Sequence, residues 1–253
     1  MGSDFYVDLM EKALSGRLYP EGRAERLITN LWQRVRHPYL TRRGALAWPL
    51  RAHTMIGPAR LRNLRDLVER TIREHVPGHY IETGIWRGGA CILMRAILKA
   101  HGVTDRKVFC ADSFGGLPKP NANIPQDRRD RLYKFSELAV SEDQVRRHFE
   151  LYDLLDDQVV FLTGWFRDTL PLLTDERFAV IRLDGDMYES TMDALTHLYP
   201  RLSPGGFAII DDYGGITACR KAVHDYLDRN DVTADIVPID QSCVWWRKSL
   251  DPI

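Results

Sequence analysis

Residues 80–90 read Tyr80-Ile-Glu-Thr-Gly-Ile-Trp-Arg-Gly-Gly-Ala90. A β-rich apolar run ends in an acidic residue and Gly84, and a helical pattern opens near Gly88, so the stretch reads as a strand turning into a helix. Glycine in such a turn lets a ligand approach the backbone, and the helix N-terminus offers free N–H groups to a carboxylate or phosphate. The spacing is GxxxGG, not GxGxxG. In the dinucleotide fingerprint the middle glycine lies against pyrophosphate, and here that position is Trp86, which would crowd two phosphates. A ligand without pyrophosphate fits better. S-adenosylmethionine (SAM) is one, its ammonium favoured by Glu82. Taken alone, the turn is also compatible with a purely structural role.

Outward from this turn, short apolar runs alternate with helical patterns, the signature of a parallel sheet flanked by helices. Strands are expected at His79–Glu82, Lys107–Ala111, Gln158–Thr163, Phe178–Leu183, Gly206–Ile210, Thr233–Val237 and Ser242–Trp246. The clearest helices are Gly88–Ala100, Ser141–Leu151, Glu189–Arg201 and Thr217–Arg229, the second opening on a capping box, Ser141-Glu-Asp-Gln144. Only a few residues around Pro238 to Gln241 separate the last two strands. That is too short for a helical crossover, so the final pair should be antiparallel, which separates a methyltransferase-type sheet from a purely parallel dinucleotide fold.

Residues 1–75 differ in kind. Helical spacing over Phe5–Leu14 and Glu21–Val35 is broken by Pro38, Pro49 and Pro58 before another helix at Arg60–His75. They are read as a helical extension that forms one compact unit with the domain at residues 76–253. A second unusual stretch, Leu117–Leu138, carries three prolines and the charge run Asp127-Arg-Arg-Asp-Arg131, and loops of this length are usually lids or disordered segments.

Composition narrows the partners. Lys and Arg number 35 against 35 Asp and Glu, a net charge of zero, so neither nucleic acid nor an anionic membrane is expected as a partner. The four cysteines lack CxxC spacing and no signal-peptide or membrane-spanning run is evident, which points to a reducing cytoplasm.

The second strand ends at Asp112, where folds of this type place a carboxylate on ribose hydroxyls. Asp-Ser before Gly-Gly is equally good Asx-turn chemistry, and both can hold together. Trp165 and Phe166, after the third strand, could flank adenine, although such a pair is more often core. The strongest constellation is Ile181-Arg-Leu-Asp-Gly-Asp186 with Ala208-Ile-Ile-Asp-Asp-Tyr213. On adjacent parallel strands, Asp184, Asp211 and Asp212 converge at the edge where open α/β sheets bind ligands. Any one of them could simply cap a helix, but three together repel unless a cation sits between them. Oxygen donors without a Cys/His cluster suit a hard ion such as Mg²⁺, which would lower the pKa of an acceptor hydroxyl. His53, just before the sheet, could line the site but is left out of the catalytic set, and His224 falls on an amphipathic helix where a surface role is expected. There is no Gly-x-Ser-x-Gly elbow and no P-loop.

Thr54-Met-Ile-Gly57, residues 81–90, Ala111-Asp-Ser-Phe-Gly-Gly-Leu-Pro118, Leu138-Ala-Val-Ser141, Gly164-Trp-Phe166, Arg182-Leu-Asp-Gly-Asp-Met-Tyr-Glu-Ser190 and Ile210-Asp-Asp-Tyr213 together resemble the macrocin O-methyltransferase family. The resemblance runs from about residue 5 to the C-terminus. It implies a class I SAM-dependent methyltransferase, with a Rossmann-like seven-stranded α/β sheet, the last strand antiparallel, plus a helical extension and a lid. It implies a SAM- and Mg²⁺-dependent O-methyltransferase acting on a deoxysugar hydroxyl of a glycosylated secondary metabolite. Glu82 and Gly84 would meet the cofactor's amino-acid end, Asp112 its ribose, and Trp165 and Phe166 its adenine. Thr54, Met55, Thr83, Ser113, Gly164 and Asp184 complete the cofactor set. Asp184, Asp211 and Asp212 would hold the metal, with Asp184 also a general base. A homo-oligomer, dimer or higher, is implied as well. The same acidic edge would serve a catechol-like or other phenolic acceptor. A non-catalytic SAM-binding module is disfavoured by the intact carboxylate trio, and an NAD-dependent oxidoreductase by Trp86.

Overall fold

A computed structural model describes residues 2–36 and 48–250. Three helices lead the chain, α1 (Gly2–Leu14), α2 (Arg23–Arg36) and α3 (Pro58–Arg73). Strands and helices then alternate as β1 (His79–Thr83), α4 (Gly89–Ala100), β2 (Val108–Asp112), α5 (Glu142–Glu150), β3 (Val159–Thr163), the single turn α6 (Phe166–Thr169), β4 (Phe178–Leu183), α7 (Tyr188–Leu198), β5 (Leu202–Ile210), α8 (Thr217–Arg229), β6 (Val237–Pro238) and β7 (Val244–Arg247). They form a seven-stranded sheet in the order β3-β2-β1-β4-β5-β7-β6. The first five strands pair in parallel, and β7 runs antiparallel to both β5 and β6. This is the class I SAM-dependent methyltransferase architecture expected above. No helix of the described residues is long and apolar enough to cross a membrane.

The period of two along β1 shows why the sheet has two covered faces. Tyr80 faces a core built with α1, α3 and α4, whereas Ile81 faces one built with α7 and α8. The extension belongs to the first of these cores. Val7, Met10 and Leu14 of α1, and Leu61, Leu64 and Val68 of α3, are buried at helical spacing in the cluster that contains α4. The capping box holds as well, because the Ser141 hydroxyl accepts the N–H of Gln144 at 3.3 Å.

Two strands depart from expectation. β5 starts at Leu202, not Gly206, because a bulge carries it through Ser203-Pro204-Gly205: Phe178 and Val180 of β4 face Leu202 and Phe207. β6 shrinks from Thr233–Val237 to Val237–Pro238 at the sheet edge, where Pro238 donates no ladder hydrogen bond.

Residues 117–138 are a structured strap. Three 3₁₀ turns, Pro125–Asp127, Leu132–Lys134 and Ser136–Leu138, punctuate it. The Trp86 indole donates to the Glu137 carbonyl at 2.8 Å, and Phe135 is buried. Within the charge run, Asp127 is buried and caps α7, its oxygens accepting the N–H groups of Tyr188 and Glu189 at 2.7 and 2.9 Å. Carboxylates at helix N-termini are worth about 1–2 kcal/mol. Asp127→Ala is therefore expected to lower the melting temperature and to speed proteolytic nicking within 117–138; nicking at the wild-type rate would contradict this anchoring.

Candidate active site

The carboxyl ends of β1, β2, β4 and β5 open into a cavity of about 900 Å³. Of the residues expected at the site, Thr54, Met55, Glu82, Gly84, Asp112, Ser113, Trp165, Phe166, Asp184, Asp211 and Asp212 line it. Thr83 and Gly164 do not. The Thr83 side chain is fully buried, and Gly164 serves the strand end, its N–H donating to the Asp112 carbonyl at 2.9 Å. Trp48, Ile56 and Arg60 of the extension, and Leu117, Pro118 and Asn121 of the strap, also line the cavity.

The glycine turn has a structural requirement of its own. At Gly84, φ is +83° and a Cβ would stand 1.8 Å from the Asp184 carbonyl oxygen. The glycine is thus required by the closeness of the β1 and β4 ends, whether or not a ligand is present. At Gly89 a Cβ would meet the His53 carbonyl at 2.5 Å, so this position lets the extension dock on α4. Asp112 combines both roles raised for it. Its Oδ1 accepts the Phe114 N–H at 2.8 Å in an Asx turn, and its Oδ2 accepts the Ile85 N–H at 2.9 Å, fixing the glycine turn beside the cavity.

Asp184, Asp211 and Asp212 bring one carboxylate oxygen each within 4.8 Å of one another. They do not stand alone. Arg182, 1% exposed on β4, donates to Glu82 Oε1 at 2.5 Å, to Asp184 Oδ2 at 2.8 Å and to Asp211 Oδ1. Arg60, in the first turn of α3, donates to Asp211 Oδ2 at 2.5 Å and to Asp240 at 2.7 and 3.1 Å. The sequence led to the expectation of a cation between the three carboxylates and gave no sign of the two guanidinium groups that also face them. Charge still falls short. Burial pushes Glu82 up to about 7 and Asp211 up to about 6, with Arg182 pulling each down. Burial, then the neighbouring carboxylates, also pushes Asp186 and Asp212 well above the usual range.

A divalent cation fits these residues. The donors are all carboxylate oxygens, and Asp212 Oδ2 is buried without a hydrogen-bond partner. Glu82 also accepts the Cys91 thiol at 3.0 Å, so both its oxygens have protein partners. His53 Nδ1 bonds the Tyr152 hydroxyl at 2.7 Å and His224 Nε2 that of Tyr213 at 2.8 Å, and neither histidine lines the cavity.

Sequence reasoning passed over Arg182, Arg60 and Asp127. Arg182 had a signal: a charged residue inside the apolar strand Phe178-Ala-Val-Ile-Arg-Leu183 is buried on both sides and must find a partner. Arg60 had none, because only the fold brings α3 to the end of β5.

Known proteins match along nearly the whole chain. The family model described as Macrocin-O-methyltransferase (TylF) matches residues 3–248. The "Mycinamicin III 3''-O-methyltransferase" of Micromonospora griseorubida is 49% identical over 252 residues, 98% of each chain. The "8-demethyl-8-(2,3-dimethoxy-alpha-L-rhamnosyl)-tetracenomycin-C 4'-O-methyltransferase" of Streptomyces olivaceus is 51% identical over 246 residues, 96% of this chain and 92% of that one. Among solved structures, the O-methyltransferase NovP superposes with a TM-score of 0.86 at 47% identity, covering 98% of this chain and 99% of its own. Strand order, strand-end carboxylates and end-to-end similarity agree: the chain belongs to the macrocin O-methyltransferase family of SAM-dependent O-methyltransferases.

Proposed function

We propose that this enzyme transfers the methyl group of SAM to a sugar hydroxyl of a glycosylated bacterial natural product, and that it does so with Mg²⁺ held by Asp184, Asp211 and Asp212. One observation carries the metal part of the reading: the three carboxylates converge within 4.8 Å on the cavity that Asp112, Trp165 and Phe166 also line. The sugar part is supported by the relatives named for methylating mycinamicin III and a rhamnosyl tetracenomycin.

SAM supplies an electrophilic methyl group, and Mg²⁺ supplies Lewis acidity that makes an alcohol proton easier to remove. The chain's own residues do the rest. Asp112 receives the ribose, Trp165 and Phe166 flank the adenine, and Glu82 with Gly84 faces the amino-acid end. Asp184, whose side chain is 24% exposed at the cavity, takes the proton of the acceptor hydroxyl. The walls above come from residues 48–60 of the extension and from the strap at 117–138, which hold the acceptor in line with the transferred methyl and keep out water. Trp48, Leu117, Pro118 and Leu132 give that wall an apolar surface suited to an aglycone.

A screen of glycosylated natural products and of catechols with labelled SAM tests the acceptor class. Label on a sugar hydroxyl is expected. Label on catechols or other phenols alone would replace the sugar by a phenolic acceptor while leaving the rest of the reading in place.

A further inference from the structure

Both oxygens of Asp211 already have guanidinium partners, Arg182 on Oδ1 and Arg60 on Oδ2. The two arginines differ. Arg182 lies inside the sheet, 1% exposed, and also binds Glu82 and Asp184. Arg60 comes from the helical extension, is 19% exposed and lines the cavity. Its direction is set from outside the cluster. Asp240 takes Arg60 Nε and Nη2 at 2.7 and 3.1 Å, and is itself fixed by the N–H groups of Ser242 and Cys243, each at 2.8 Å. Asp240 thereby aims Arg60 at a carboxylate that a cation would also use. The positive charge of Arg60 beside Asp211 opposes a second positive charge arriving at the same carboxylate.

Resting on the cation reading above, we infer that Arg60 is a positioning residue and resident counterion. It holds Asp211 in place when no divalent ion is bound, and it sets the affinity of the site for that ion by competing with it. Because Arg60 belongs to α3, docking of the extension and binding of the cation oppose each other at one carboxylate. By linkage each weakens the other by the same factor.

The test is a Mn²⁺ titration followed by electron paramagnetic resonance, at fixed ionic strength, on the full chain and on Arg60→Gln, Arg60→Lys, Asp240→Asn and Asp212→Asn, with folding checked by circular dichroism. Arg60→Gln should bind Mn²⁺ roughly tenfold more tightly, because a charge beside the site is removed. Arg60→Lys should stay near wild type. Asp240→Asn should bind more weakly, since the Arg60 charge then rests on Asp211 alone; if Arg60→Gln does not fold, Arg60→Lys carries the test, weakened binding there overturning the inference. A purely structural role would weaken binding in every variant. Unchanged or weaker binding in Arg60→Gln overturns the inference, as does unchanged or tighter binding in Asp240→Asn. Unchanged Mn²⁺ binding with weakened SAM binding in Arg60→Gln would make Arg60 a cofactor anchor and also overturns it. Failure of the underlying reading looks different: the wild-type chain would bind no Mn²⁺, or Asp212→Asn would bind it as well as wild type.

Discussion

Replacing Asp184 by alanine is expected to lower methyl transfer by roughly 10²–10⁴-fold, the range for loss of a positioned general base, while SAM binding measured by calorimetry is retained. The fold should tolerate the change. The Asp184 main chain is set by the sheet, its N–H donating to the Thr83 carbonyl at 2.9 Å and its own carbonyl lying against Gly84. The side chain, by contrast, points to the cavity, where Arg182 Nη1 donates to it at 2.8 Å. On the proposed reading, removing it deletes a proton acceptor and a cation ligand together and leaves the ribose and adenine contacts alone. Full activity in this variant would remove both roles from Asp184. Lost SAM affinity with an intact rate at saturation would make it a cofactor contact only.

Arg182→Met should have the largest effect on stability. Breaking a buried ion pair by deleting one partner costs about 3–5 kcal/mol, because the charge left behind stays buried. Here one guanidinium serves Glu82, Asp184 and Asp211 at once. The loss should depend on pH. In the folded chain Glu82 is raised from its ordinary 4.5 to about 7, by burial opposed by Arg182. A carboxyl raised on folding binds more protons folded than unfolded, so its stability contribution is complete below about 4.5 and is lost as pH rises through the folded value. Without Arg182 that folded value climbs further. Urea unfolding without added divalent ion should then show the variant closer to wild type at pH 5 than at pH 8. Equal midpoints for variant and wild type at pH 8 would refute the hub role.

The same residue marks the boundary of what the chain discloses before it is folded. Alternating and continuous apolar runs made the strands and their order of type legible, because period and length follow directly from which faces are buried. Thr217–Arg229 and Phe178–Leu183 match to the residue. β6 was overestimated because an apolar run says nothing about whether a neighbouring strand is there to pair with it. At the site, Asp184, Asp211 and Asp212 could be placed together from strand ends alone, whereas their guanidinium partners could not. Arg60 reaches Asp211 across 151 residues of chain, and Asp127 reaches α7 across 61, contacts for which local pattern carries no signal. Zero net charge fits the same lesson. It summarises 35 charges of each sign and conceals that six carboxylates, those of Glu82, Asp184, Asp186, Asp211, Asp212 and Asp240, meet two arginines at one sheet edge.

The proposed dependence of the reaction on a divalent ion is best tested by the rate of labelled-methyl transfer from SAM to a glycosylated acceptor in EDTA, followed by addition of excess Mg²⁺. Transfer should fall to background in chelator and return with Mg²⁺. An unchanged rate in EDTA would contradict the metal role of Asp184, Asp211 and Asp212 and leave Arg182 and Arg60 as their counterions among the described residues.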